Sequence, residues 1–94
     1  MNDKGKRRDI FRLINTNTYD IVMLQETHIN MENTHACKEQ WGKPGVWNPA
    51  ESSRSGGTCV LIVNEMINLK HYKIDETGRV MAVTIEYNKN STKI

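Results

Sequence analysis

The chain of 94 residues has little of most features that mark a specialised class. Its two cysteines, Cys37 and Cys59, are too few for a disulfide framework, and without an export signal free buried thiols are the expected state. No apolar run approaches the ~20 residues that cross a bilayer. The basic start, MNDKGKRRDIF, lacks the apolar stretch of a signal peptide. An intracellular protein without membrane contact is the resulting expectation. Net charge is scarce as well, and +2 is too small to name a partner. Lys4, Lys6, Arg7, Arg8 and Arg12 do gather positive charge near the start. That cluster could face a polyanion or form a solvated helix face.

What is present fits one small domain over residues 1–94, with an irregular tail from about residue 88. Asn2 or Asp3 can cap a helix running to about Asn15, with Ile10, Leu13 and Ile14 as its apolar stripe. The turn formers NTNT (Asn15 to Thr18) end it. YDIVMLQE then reads as a strand covered on both faces, because Ile21 to Leu24 form a short continuous apolar run. Asn30 to Trp41 reads as a weakly periodic helix. WGKPGVWNPAESSRSGG holds both prolines and four of the six glycines, and so reads as a long irregular connection. Three strands follow: Thr58 to Asn64, Met66 to Asp75, and Arg79 to Tyr87, the last two joined by a turn at Glu76 to Gly78. The order predicts an α/β fold with a mixed or largely antiparallel sheet, its last three strands a meander, and helices on one face.

Four places could carry chemistry. Glu26 ends a strand where a sheet opens to solvent, and a carboxylate there suits Mg²⁺, which prefers oxygen ligands and keeps several waters. The alternative is a strand-end glutamate paired with a lysine or facing water. His28, two residues on, would project from the same face of an extended chain and approach an anionic ligand, or sit half-exposed in a loop. ESSRSGG offers Arg54 and Ser55 to a phosphate, or serves as a polar loop entering a strand. His28, His35, Cys37 and Cys59 match no familiar zinc spacing. Trp41 and Trp47 read as packing anchors, and Asn90-Ser91-Thr92 fits a glycosylation pattern that carries no meaning in an intracellular chain.

Three stretches taken together, DIVMLQETHI, SRSGGTCVLIV and GRVMAVTIEY, resemble the endonuclease/exonuclease/phosphatase superfamily. The nearest likeness is to the apurinic-type endonuclease domain of non-LTR (LINE-type) retrotransposon proteins. The matching residues are Asp20 to Thr27, Ser55 to Val63 and Gly78 to Ile85. The resemblance implies a four-layer α/β sandwich, of which this chain would be an incomplete, N-terminal portion. It implies a phosphodiesterase using Mg²⁺ or Mn²⁺, with Glu26 as a metal-binding catalytic residue and Gln25 and Thr27 orienting it from behind. His28, Arg54 and Ser55 would lie towards the DNA backbone. DNA is the implied partner, with the remainder of the domain and a reverse transcriptase as further ones, and the nucleus is the implied place of action. The family's downstream tyrosine strand, Asp-x-Asn and Ser-Asp-His motifs are not in these residues, so the chain alone is expected to be inactive. Two other readings stand beside this one. The first is a non-catalytic remnant that binds nucleic acid or a partner through Arg7, Arg8 and Arg54. The second is a phosphoinositide or sphingolipid phosphatase of the same superfamily.

Overall fold

The computed structural model describes residues 3–51 and 55–87. Helix α1 (Lys4–Asn15) starts where the Asp3 carboxylate accepts the free N–H groups of Gly5 (2.8 Å) and Lys6 (3.3 Å). It stops where Thr16 Oγ1 and Asn17 Nδ2 both donate to the Leu13 carbonyl. Its buried stripe is Arg7, Phe11 and Ile14, with Ile10 at the margin, while Leu13 is 63% exposed. The helix is therefore rotated from the expected Ile10–Leu13–Ile14 stripe, because Phe11 offers more apolar surface than Leu13. Helix α2 (Met31–Trp41) is capped by Asn30 Oδ1, which accepts from Asn33 N at 3.0 Å. It ends on Gly42 in the left-handed region, φ 72°.

Strands β1 (Ile21–Gln25), β2 (Gly45–Asn48) and β3 (Thr58–Ile62) form an antiparallel sheet in the order β1-β3-β2. Strands β4 (Ile67–Ile74) and β5 (Met81–Tyr87) form a second antiparallel sheet, a hairpin with an irregularity between Leu69 and His71. The expected single sheet with a closing meander is thus two sheets, and of the three strands expected to form the meander only β4 and β5 pair with each other. β2 lies inside the stretch expected to be irregular. It belongs to the sheet because Gly45 to Asn48 pair with Leu61 to Thr58, not through any periodicity of its own.

The register explains the layers. Val22 and Leu24 of β1, Cys59 and Leu61 of β3 and Trp47 of β2 project to one face, where Phe11, Ile14, Ile29, Cys37 and Trp41 complete the main core. Phe11 packs against Trp41 and Trp47 at centroid distances of 5.2 and 6.4 Å, so both tryptophans are packing anchors. Cys37 and Cys59 are free and buried there, as expected. On the other face, Val60 and Ile62 meet Ile67, with Ile21, Met81 and Val83 packed around them. The layers run helices, sheet, hairpin. Arg7 is buried between the helices: its Nε donates to Gln40 Oε1 (2.9 Å), and Gln40 Nε2 donates to the Lys4 carbonyl (3.0 Å). It is a helix clamp and no part of a solvated basic face.

β1 is an edge strand, not one covered on both sides: the hairpin half-covers Ile21 but leaves Met23 67% exposed. Among the described residues no helix is long and apolar enough to cross a membrane. Asn2, Arg54, the tail from residue 88 and the Asn90–Thr92 pattern lie outside the described residues.

Candidate functional site

The site grows from the paired ends of β1 and β3. Gln25 is the last residue of β1 and lies opposite Thr58, the first of β3. Beyond that pair the two chains stay joined as loops. Thr27 N donates to Gly57 O at 2.9 Å, and His28 N to Gly56 O at 3.0 Å. Gly57 N then donates to Gly78 O at 2.7 Å, in the turn between β4 and β5. Gln-Glu-Thr-His, Gly-Gly and Gly-Arg, spread over 55 positions of sequence from 25 to 79, therefore meet at one point.

The glycines are there because no side chain fits. A Cβ on Gly57 (φ 90°) would lie 2.4 Å from Thr27 Oγ1 and 3.0 Å from His28 N. One on Gly78 (φ 75°) would lie 2.3 Å from the Pro49 carbonyl oxygen. Both φ values belong to the region that L side chains rarely adopt. Two non-glycine residues, Glu26 (φ 52°) and His28 (φ 60°), also sit in the left-handed region. Such conformations persist only where surrounding contacts fix them, and here Thr27 between the two is 2% exposed, with its Oγ1 accepting from Ile29 N.

The consequence is a displayed carboxylate. Glu26 Oε2 accepts from Gly56 N (3.0 Å) and from His28 Nε2 (3.2 Å), and Oε1 faces Arg79 Nη1 at 3.4 Å. The Gly56 amide holds the Glu26 carboxyl below its ordinary pKa, helped by the His28 hydrogen bond and the charges of Arg79 and His28. Glu26 is thus anionic at neutral pH, oriented, and open to solvent. Gln25 is exposed beside it. Thr27 is buried within the turn, and the group that His28 meets is the Glu26 carboxylate of its own chain. Ser55 is half-buried at the start of the Gly-Gly segment. His35 pairs with Glu39 on the surface of α2, away from the two core cysteines.

Sequence reasoning missed Arg79, Asp75 and Asn48. Asp75 accepts from Thr77 Oγ1, from Arg79 N (3.2 Å), from Val80 N (3.0 Å) and from Asn48 Nδ2 (2.9 Å). The Thr77 hydroxyl, followed by the Val80 amide and Asn48, holds its carboxyl far below the usual range. Asn48, 2% exposed, also donates to Val80 O at 2.9 Å, so it pins the hairpin turn to β2. Asp75-x-Thr77-Gly78 is a side-chain-stabilised turn pattern, the signal that could have found it.

Can these residues hold a divalent cation? Among the described residues no three His, Cys, Asp or Glu side chains cluster as a cage, which is unsuited to zinc. Mg²⁺ is commonly held by one or two carboxylates plus water and substrate oxygens. Glu26 suits it as a single protein ligand in a hydrated site. A depression of about 620 Å³ lies elsewhere, among Asn30, Glu32, Glu51, Ile74, Asp75 and Glu76. Its rim is acidic and would repel a phosphate backbone. Comparison of the chain with protein-family models, with curated proteins and with solved structures finds no match.

Proposed function

We propose that the chain is a portion of a Mg²⁺- or Mn²⁺-dependent phosphodiesterase domain, a DNA-nicking endonuclease of the retrotransposon type. One observation carries the reading. The three stretches that resemble that family are joined by hydrogen bonds at residues 27, 56, 57 and 78, and the residue they display is Glu26. Incidental matches scattered along a chain have no reason to converge. The layering of helices, sheet and second sheet supports it further, as three successive layers of a four-layer sandwich.

In this reading Glu26 is one metal ligand, Gly56 N–H and His28 fix its second oxygen, and Gln25 and Thr27 support it. A cation bound there would activate water and neutralise charge on a DNA phosphodiester. Ser55 and Arg54 would lie along the backbone of the DNA, with the other ligands and the water-positioning groups supplied by the remainder of the domain. The action would be intracellular, at chromosomal DNA, with a reverse transcriptase as the associated activity.

Titrating the chain with Mn²⁺ while recording amide NMR signals tests the site. Paramagnetic broadening should centre on residues 26–28, 56–57 and 79 and disappear in Glu26→Gln. Broadening that is absent, or unchanged in the variant, overturns the assignment. The chain alone should not nick supercoiled plasmid. Nicking that EDTA abolishes and Glu26→Ala removes would refute the incomplete-site view.

A further inference from the structure

We infer that Arg79 is an exchangeable counter-ion of Glu26: it neutralises the carboxylate in the free protein and transfers to a phosphodiester when a divalent cation takes the carboxylate. This rests on the metal reading above and adds to it a coupling between cation and phosphate.

The two oxygens of Glu26 are held unequally. Oε2 accepts from Gly56 N at 3.0 Å and from His28 Nε2 at 3.2 Å. Oε1 has, among the described residues, the Arg79 guanidinium alone, through a single nitrogen at 3.4 Å. A well-formed charge-assisted N–H···O⁻ contact is shorter, about 2.7–2.9 Å. Both side chains are more than half exposed, 53% for Arg79 and 55% for Glu26, so the pair is solvated and weakly held. Oε1 is therefore the oxygen that a cation can take without breaking the bonds that orient the carboxylate.

Arg79 has somewhere to go. Its backbone is fixed, since its N–H donates to Asp75 Oδ1 at 3.2 Å and the next N–H, of Val80, donates to the same oxygen at 3.0 Å. Arg79 lines one end of a cleft of about 190 Å³ with Gln25 and Thr58, the rest of whose wall is apolar, Leu24, Val60 and Met81 among it. Because the Arg79 side chain is more than half exposed, rotation about its own torsions can take the guanidinium off Glu26 and into solvent with the backbone unmoved. Freed, its planar fork matches two phosphate oxygens, a better partner than one carboxylate oxygen at 3.4 Å. Cation and Arg79 compete for Oε1, and Glu26 and phosphate compete for Arg79. Each ligand removes the other's competitor, so each must raise the other's affinity by the same factor.

The test measures Mn²⁺ affinity by electron paramagnetic resonance, with and without dimethyl phosphate, in the wild-type chain, Glu26→Gln, Arg79→Gln and Lys38→Gln. Lys38 is an exposed lysine on α2 and controls for the loss of one positive charge. Arg79→Gln should bind Mn²⁺ about two- to fivefold more tightly than wild type in the absence of phosphate, the factor an exposed ion pair is worth. The enhancement of Mn²⁺ binding by dimethyl phosphate should shrink in Arg79→Gln and persist in Lys38→Gln. If Arg79→Gln matches Lys38→Gln in both respects, the exchange is wrong while the metal reading stands. If no variant binds Mn²⁺ in a Glu26-dependent way, the metal reading and the exchange fall together. Circular dichroism melts confirm that each variant is folded before the comparison is made.

Discussion

Replacing Gly78 by alanine should destabilise the chain severely, although the change adds one methyl group to a turn. The added Cβ meets the Pro49 carbonyl oxygen at 2.3 Å and Gly57 N at 2.9 Å. Both are backbone atoms, so no side-chain rotation relieves the contact. The φ of 75° costs an L-residue about 1–2 kcal/mol by itself. Displacing packed backbone adds about 1–3 kcal/mol, and weakening the Gly57 N–H to Gly78 carbonyl bond (2.7 Å) adds about 1 kcal/mol. The expected loss is about 3–6 kcal/mol, a large share of the 5–15 kcal/mol typical of a whole domain. Gly5→Ala is the internal control. There the nearest atom to a new Cβ is Asp3 Oδ1 at 3.3 Å, and alanine is the better helix former, so stability should hold or rise. Urea unfolding followed by fluorescence of Trp41 and Trp47, both buried in the main core, reports the difference. With a slope of about 1–1.5 kcal/mol per molar urea, the Gly78→Ala midpoint should fall by about 2 M or more. A Gly78→Ala chain within about 0.5 kcal/mol of wild type would refute the claim that this glycine is required by close approach.

Other outcomes follow from the same contacts. The Asp75 carboxyl is held low by the Thr77 hydroxyl and neighbouring donors, so its folded pKa lies below the unfolded value of 3.8. Its contribution is full above pH 3.8 and is lost as pH falls towards the folded value. Asp75→Asn should therefore be less stable than wild type at pH 7 and show a flatter decline below pH 3.8 in pH-dependent urea midpoints. A variant whose acid limb parallels wild type contradicts this. Cys59 is 1% exposed, and burial pushes its thiol up to about 12, with Cys37 shifted in the same direction. Neither thiol should react with a disulfide reagent at pH 8 until the chain is unfolded, and fast reaction of the native chain would show that the main core is open.

The helices were legible because their ends are written locally: Asp3 and Asn30 cap them, and Gly42 closes the second. The strands that follow apolar runs were legible for a similar reason. β2 was not, because Gly45 to Asn48 are bounded by Pro44 and a following proline and become a strand only by pairing with β3. The edge position of β1 was hidden too. Ile21 to Leu24 read as apolar on both sides, yet whether a second layer reaches Met23 depends on where the hairpin docks. Within the site, Gln25 to His28 announced themselves by their position after an apolar run. Arg79 did not, since its pairing with Glu26 spans 53 positions and arises from hydrogen bonds between loops. The glycines hold the physical link: Gly57 and Gly78 mark where two backbones approach too closely for a side chain.

The central claim is that Glu26 serves a cation that acts on nucleic acid, and DNA binding with and without the metal tests it most directly. Affinity of the chain for a short DNA duplex should rise when Mg²⁺ replaces EDTA at constant ionic strength, and the rise should vanish in Glu26→Gln. Binding that is equal in Mg²⁺ and EDTA, falls with salt and is untouched by Glu26→Gln would contradict the account and leave a metal-independent, charge-driven binder in its place.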